Sequence, residues 1–174
     1  MGCQGTNGSV ICCLSCLGGH AWCGPCAVKA HSRLPFHQPQ RWNGNFYEAI
    51  SLQDLGYTLN LGHDGDACPL NGDGPGDPFT VVDSTGIFVH TVKWCRCSGV
   101  SDQDRHLQLL RCRLFPSTVT KPQTAFTFHV LDEFLINELE CKTSASSFYS
   151  KLRRLTNNAF PGSLPVSFNV GANS

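Results

Sequence analysis

Residues 12–37, CCLSCLGGHAWCGPCAVKAHSRLPFH, gather five cysteines and three histidines into 26 positions. Two pairs of cysteines have the C-x2-C spacing, Cys13 with Cys16 and Cys23 with Cys26. A C-x2-C turn directs two thiolates at one ion from a tight loop, and two such turns complete a tetrahedron. Thiolate-rich tetrahedral sites select zinc, with iron–sulfur as the alternative. The segment therefore predicts a small lobe that folds only around metal.

The two cysteine pairs are expected to hold one zinc ion together. His31 and His37 follow at intervals that a short helix or loop could return to a metal, so they could replace a member of a set or bind a further ion. The order C-x2-C, then C-x2-C-x4-H-x5-H, resembles the back half of a B-box zinc finger. A complete B-box has a further ligand pair where this chain has only His20. Cys12 is interpreted as a bystander.

A second set of soft ligands is spread over a longer stretch, with His63 and Cys68 in LGHDGDACP and Cys95 and Cys97 in WCRCSG. These residues predict a Cys3His site. The alternative is a loop histidine beside small core cysteines. Cys112 and Cys141 fall inside apolar patterns and are predicted to be buried thiols.

Cysteine usage and composition limit the cellular setting. The eleven cysteines are an odd number, and no secretory leader precedes them, which favours a reducing intracellular compartment over a disulfide framework. Apolar runs are shorter than the ~20 residues of a membrane span. The start MGCQGT matches a myristoylation pattern with Gly2 as acceptor, which leaves membrane anchoring as an alternative.

Hydrophobic patterns predict an α+β fold. We expect a zinc-knuckle lobe, a small antiparallel sheet with a hairpin pinned by zinc, and two C-terminal helices packed on the sheet. The predicted helices are 45–55, 124–142 and 144–158, and the predicted strands are 57–61, 79–83, 87–94 and 106–114, the last of which could also be helical. The predicted divisions are a disordered 1–11, a B-box-like 12–40, a remainder 41–158 and a disordered or truncated 159–174.

Taken in order, several longer segments resemble one family. They are CLSC…WCGPC…LPFH, FYEAISLQDLGYTLNLGH…CP, FTVVDSTGIFVHTVKWCRC, LQLLRCRLFPSTVTKPQTAFTFHVLDEF and SSFYSKLRRLTNN. The series resembles the second subtype of the CxC-type cysteine cluster attached to KDZ (Kyakuja–Dileera–Zisupton) transposases, which is common in mushroom-forming fungi. The resemblance extends over about residues 13–158.

This resemblance implies a nuclear, zinc-binding accessory domain that precedes a DDE-type transposase domain, with DNA binding inferred for the family. The chelating pattern carries over onto ten positions: Cys13, Cys16, Cys23, Cys26, His31, His37, His63, Cys68, Cys95 and Cys97. Two zinc ions are expected. The basic continuation usual after the RLTNN segment is missing here, so we expect a truncated copy or a fragment.

The chain is not expected to be an enzyme. Its ligand sets are closed and rich in thiolates, whereas catalytic zinc keeps an open position, and a transposase catalytic region is absent from the sequence. A RING-like ubiquitin ligase is the enzymatic alternative, but its eight ligands interleave over a shorter span than Cys13 to Cys97. No small-molecule substrate is indicated.

Charge leaves two kinds of partner open. Thirteen basic and thirteen acidic residues give no global field that attracts DNA, so any DNA contact must come from local cations. The candidates are Lys93, Arg96, Arg105, Arg111, Arg113, Lys151, Arg153 and Arg154. The alternative is a B-box-like protein-interaction module that binds the transposase catalytic domain or another protein, with these cations on solvated faces.

Overall fold

The structure, a computed structural model, describes residues 10–157 except 73, 98 and 100–103. The segments predicted to be disordered, 1–11 and 159–174, lie almost entirely outside these residues, as does Gly2. The described chain is α+β, as predicted, with two sheets and four α-helices among these residues.

The N-terminal lobe contains a three-stranded antiparallel sheet in the order β1 (Ile11–Cys13), β2 (Pro39–Trp42) and β3 (Tyr47–Ala49). Helix α1 (Gly24–Ala30) lies between β1 and β2 in the chain. The helix predicted over 45–55 is wrong. The Asn43 side-chain oxygen accepts from the backbone N–H groups of Asn45 and Phe46 and closes a tight turn, which returns the chain as β3.

The larger sheet has five strands in the order β4 (Thr58–Asn60), β6 (Gly86–Lys93), β5 (Asp77–Asp83), β8 (Thr124–Thr127) and β7 (Leu114–Pro116). The predicted hairpin of β5 and β6 is confirmed, and their register joins Asp83 to Gly86. The sheet is mixed rather than antiparallel, because β4 runs parallel to β6 and β8 runs parallel to β5.

Two predictions for the C-terminal half need correction. The strand predicted over 106–114 is helix α2 (Arg105–Arg111) followed by β7, since the helix lets Leu109 join the apolar cluster while Gln108 bonds the backbone of Cys95. The long helix begins four residues later than predicted, as α3 (Phe128–Cys141) with Thr127 as its cap. The preceding residues form β8 because they pair with strands on both sides. Helix α4 (Ala145–Thr156) is confirmed, with Ser144 as its cap.

The five-stranded sheet is covered on both faces. Val81 and Val82 are neighbours in β5 and therefore point to opposite faces. Val81 joins a cluster that includes Leu109 of α2 and also Trp94, which follows β6. Val82 packs with residues of α3 and α4 on the other face. Burial of these two apolar clusters provides the main driving force for folding of this part of the chain.

The segment between His31 and His37 attaches the N-terminal lobe to the sheet. The Phe36 ring packs against Phe88 of β6, and the Tyr57 hydroxyl donates to the Ser32 carbonyl at 3.3 Å. The Thr85 hydroxyl donates to the Phe36 carbonyl at 3.4 Å. The lobe is therefore held against the sheet by the same loop that carries two candidate ligands.

Candidate metal centres

The structure brings Cys13, Cys16, His31 and His37 together as a first centre, with one ligand atom from each within 4.8 Å of the others. Cys13 ends β1, and Cys16 follows in the turn after it. His31 caps the C-terminus of α1, and His37 precedes β2. The pairing of β1 with β2 joins Cys13 to Pro39, which brings the two ends of this segment to the same place.

Backbone contacts fix the orientation of His31. Its Nδ1 lies 2.7 Å from the Ala27 carbonyl, so that nitrogen carries the proton and donates, and Nε2 is left to bind a metal. Nε2 lies 3.4 Å from the Cys16 sulfur. Since His31 is fully buried, this hydrogen bond also satisfies a polar group that would otherwise be costly to enclose.

The distances in the first centre match a tetrahedral zinc site. Zn–S bonds of about 2.3 Å and Zn–N bonds of about 2.05 Å give tetrahedral S···N edges of about 3.6 Å and S···S edges of about 3.8 Å. His37 Nδ1 lies 3.6 Å from the Cys13 sulfur and 3.3 Å from the Cys16 sulfur. These separations leave room for one ion between the donors, and a Cys2His2 set carries the soft character that zinc prefers.

Crowding shifts the pKa of two ligands in the first centre. Burial raises the pKa of the Cys16 thiol, and Cys13 beside it raises it further. Burial and the adjacent His31 lower the pKa of His37, which favours the neutral imidazole that a metal binds. A divalent cation would offset the repulsion between the two thiolates.

Among the described residues, the structure does not bring the four predicted cysteines together as one set. Cys23 is the N-cap of α1 and Cys26 lies in its first turn, and neither joins the ligands of a centre among the residues that the structure describes. The two uncertain histidines take their place, because α1 carries the chain from the second cysteine pair to His31. That Cys23 and Cys26 bind metal remains a prediction.

The second centre brings together the predicted residues His63, Cys68, Cys95 and Cys97, again with ligand atoms within 4.8 Å of one another. His63 opens a short 3-10 turn after β4, and Cys95 and Cys97 follow the end of β6. Because β4 and β6 are parallel neighbours, their C-terminal ends lie side by side, and this places the two halves of the set together. Zinc here would pin the hairpin, as expected.

The second centre also has tetrahedral edges. His63 Nε2 lies 3.4 Å from the Cys95 sulfur and 3.3 Å from the Cys97 sulfur, and the Cys68 and Cys97 sulfurs are 3.8 Å apart. The S···S distance equals the edge of about 3.8 Å that Zn–S bonds of about 2.3 Å require. A Cys3His donor set fits zinc.

One thiol of this centre, Cys68, has a lowered pKa. The backbone N–H of Arg96 points at the Cys68 sulfur at 3.5 Å and, with other donors, lowers the pKa of Cys68 to about 6. The neighbouring thiols Cys95 and Cys68 raise the pKa of Cys97 to about 11. Cys68 therefore ionises before Cys97, and full ionisation of the set requires a cation to offset the repulsion.

Gln108 of α2 holds the Cys95 end of the centre and was missed by sequence reasoning. Its side-chain oxygen accepts from the Cys95 N–H at 2.8 Å, and its amide donates to the Cys95 carbonyl at 3.2 Å. A polar residue inside the apolar run HLQLL was the available signal. Gly62, with φ of 94°, lies so close that an added Cβ would stand 2.9 Å from that of Cys95. Both residues fix the position of one ligand.

Arginines and lysines gather around the second centre. A cavity of about 520 Å³ is lined by His63, Cys95 and Cys97 together with Arg33 and Arg111. A smaller cavity, of about 90 Å³, is lined by Lys93, Arg96 and Arg105. Arg33, which sequence reasoning did not single out, comes from the loop between the two histidines of the first centre.

The remaining basic candidates divide between two places. Arg113 is exposed just after α2, whereas Lys151, Arg153 and Arg154 lie on α4. Helix α4 packs near Ile87 at the start of β6, and Lys93 ends that strand, about 20 Å away at the usual rise per residue. Lys151 is already paired with Glu133 at 2.6 Å.

The other cysteines and histidines are placed as follows. Cys112 and Cys141 are exposed, so the prediction that they are buried is wrong; each lies at the end of a helix, where its side chain turns outward. None of the ten cysteines within the described residues forms a disulfide. Cys12 and His20 join neither centre in that part of the chain.

In the described part of the chain, the search for membrane spans found no helix with the length and apolar character that crossing a bilayer requires. A family model described as "CxC2 like cysteine cluster associated with KDZ transposases" matches residues 52–160. The match includes the second centre and begins after the first. It identifies an accessory cluster and no catalytic region, so the expectation that the chain is not an enzyme remains a prediction. No curated protein and no solved structure matches the chain.

Proposed function

Because the chain belongs to the family of CxC2-like cysteine clusters associated with KDZ transposases, we propose that it is a zinc-dependent accessory module that contacts DNA. The contacting surface is the basic face, defined as Arg33, Lys93, Arg96, Arg105 and Arg111 around the second centre. The observation that carries the proposal is that five cations from separate segments line two cavities, one formed with ligands of the second centre and one at the strand end that leads to them. A nuclear location follows from a transposase-associated role.

Zinc would be the ion in both centres, held by Cys13, Cys16, His31 and His37 in one and by His63, Cys68, Cys95 and Cys97 in the other. Bound zinc supplies rigid crosslinks and no reaction. The first set then has no net charge, whereas the three thiolates of the second leave one negative charge. Asp64 and Asp77 line the same two cavities, so the five cations exceed three negative charges by two, and this remaining positive charge attracts phosphate.

Both centres contribute to this face. Arg33 lies between two ligands of the first centre, and Arg96 lies between two ligands of the second. Ordering each loop around zinc therefore fixes the position of an arginine before DNA arrives. Arg105 is held already, by an ion pair with Asp77 at 3.2 Å and by stacking over the Trp94 ring at 4.8 Å.

Salt dependence of DNA binding tests the proposal. If all five cations neutralise phosphates, log K should fall with log[salt] with a slope of about −4.5. Fluorescence anisotropy would follow binding of the zinc-loaded chain between about 50 and 200 mM salt. The two probes are a labelled duplex with the terminal-repeat sequence of a KDZ transposable element and a duplex with that sequence scrambled.

Paired variants locate the contact. Arg96→Gln with Arg111→Gln should reduce the slope by about 2, whereas Arg153→Gln with Arg154→Gln on α4 should leave it unchanged. Equal effects of the two pairs, or undetectable binding at low salt, would contradict the proposal. Tighter binding to the terminal repeat than to the scrambled duplex would add sequence preference to it.

A further inference from the structure

Helix α3 leaves four of its apolar side chains exposed. Val130 is buried, but Phe128 is 41% exposed, Leu135 53%, Ile136 60% and Leu139 60%. Phe128, Leu135 and Leu139 have the spacing i, i+7, i+11 and share one side of the helix. We call these four residues the α3 stripe; it runs for about 17 Å along the helix.

The apolar surface continues beyond the helix. Phe115 of β7 is 47% exposed and meets Phe128 edge to face, with ring centroids 6.3 Å apart. Because β7 is the edge strand of the five-stranded sheet, this side of the sheet has no further described strand over it. A contiguous exposed apolar surface of this kind marks an interaction site more often than single exposed leucines do.

Carboxylates lie within and beside the α3 stripe. Asp132, Glu138 and Glu140 are exposed, and α3 contains no lysine or arginine. On a helical wheel, Glu138 falls on one side of the stripe and Glu140 on the other, whereas Asp132 falls within it, between Leu139 and Ile136. Glu133, the fourth carboxylate of α3, pairs with Lys151 of α4. Lys142, just past the helix, donates to the Leu139 carbonyl. The surface is thus apolar, with one carboxylate at each margin and a third, Asp132, among the apolar side chains.

We propose that the α3 stripe docks a basic amphipathic helix of a partner protein. Leucines of such a helix would pack on the stripe, and its lysines or arginines would meet Asp132, Glu138 and Glu140. A second copy of the same face would bring these carboxylates against each other, which opposes self-association. These carboxylates also repel DNA, so this docking is separate from the proposed DNA contact and does not depend on it.

A designed peptide pair tests the docking with the zinc-loaded chain. The probe is a labelled helical peptide of about 18 residues with leucines along one face and lysines elsewhere, and its control carries glutamate at every lysine position. The lysine peptide should bind saturably and at least about tenfold more tightly than the glutamate peptide. Equal binding of the two peptides, or no saturable binding, would overturn the proposal.

Variants of the chain locate the peptide. Leu135→Ser with Leu139→Ser should weaken binding at least about fivefold, and so should Asp132→Lys with Glu138→Lys. Leu17→Ser is the matched control, because Leu17 is 96% exposed on the N-terminal lobe and should leave binding unchanged. The melting temperatures should all equal that of the wild-type chain. If Leu17→Ser weakened binding as much, or if sedimentation showed a dimer that Leu135→Ser dissociates, the basic-helix assignment would be wrong.

Discussion

Replacing His90 with phenylalanine should remove a pH-dependent part of the stability. His90 of β6 is 1% exposed and lies among the rings of Phe36, Tyr57 and Phe88. Neither ring nitrogen has a hydrogen-bond partner of good geometry among the described residues, although the Pro35 carbonyl lies near the ring. Burial lowers the pKa of His90 to about 4, and the Pro35 carbonyl opposes this only in part. The same apolar surroundings raise the pKa of Tyr57 to about 12.

The sign and the size follow from these pKa values. Between about pH 6.5 and about pH 4, the unfolded chain carries a proton on His90 and the folded chain does not, so stability falls as the pH is lowered through this range. At about pH 5, a folded pKa near 4 and an unfolded pKa near 6.5 correspond to a loss of about 2 kcal/mol, which is absent at about pH 7.5.

Urea unfolding at these two pH values, with excess zinc throughout, measures the effect. Protonation of metal ligands also destabilises the chain at low pH, but it does so equally in both proteins. The difference in free energy of unfolding between His90→Phe and wild type should therefore shift by about 2 kcal/mol in favour of the variant on going to about pH 5. Leu17→Ser, at a side chain that is 96% exposed and carries no titratable group, should keep the wild-type pH dependence. The same pH dependence in His90→Phe and wild type would refute the reasoning.

Three further predictions concern the metal centres. Elemental analysis should find about two zinc ions per chain. Cys16→Ser should lose one of these ions, whereas Cys26→Ser should retain both. Loss of one ion from each of the two variants would instead support the four-cysteine set. Cys95→Ser should lower the melting temperature more than Cys141→Ser does, because Cys95 belongs to the centre that joins the end of β6 to the turn carrying His63 and Cys141 does not. Equal shifts in melting temperature would contradict a hairpin held by zinc. Gln108→Leu should weaken zinc binding at the second centre by about 10-fold to 100-fold in a chelator competition, because it removes both side-chain hydrogen bonds to the Cys95 backbone. Gln123→Leu, in the exposed loop before β8, should leave zinc binding unchanged.

Local sequence was sufficient for some elements and insufficient for others. The β5–β6 hairpin and α4 were predictable because their strand residues, turn and cap act over a few positions. Residues 124–127 were predicted as helix because their apolar pattern continues into α3. Their strand conformation comes from pairing with β5, some forty positions earlier in the chain. The turn at Asn43 was predictable from its local Asn-Gly chemistry, but the strand β3 after it was missed because the apolar spacing there suggested a helix.

The chain by itself determined the donor chemistry: soft Cys and His ligands in numbers that suit zinc, and the membership of the second set. The sequence could not determine the ligands of the first centre. The spacing of Cys23 and Cys26 identifies them as a pair, but it does not show whether α1 directs them toward Cys13 and Cys16. The tertiary structure decided that β1 meets β2, which brings His31 and His37 to Cys13 and Cys16. It also decided that Arg33 reaches the second centre and that Leu135 and Leu139 face solvent. These outcomes depend on contacts between residues far apart in the chain, and such contacts leave no local pattern in the sequence.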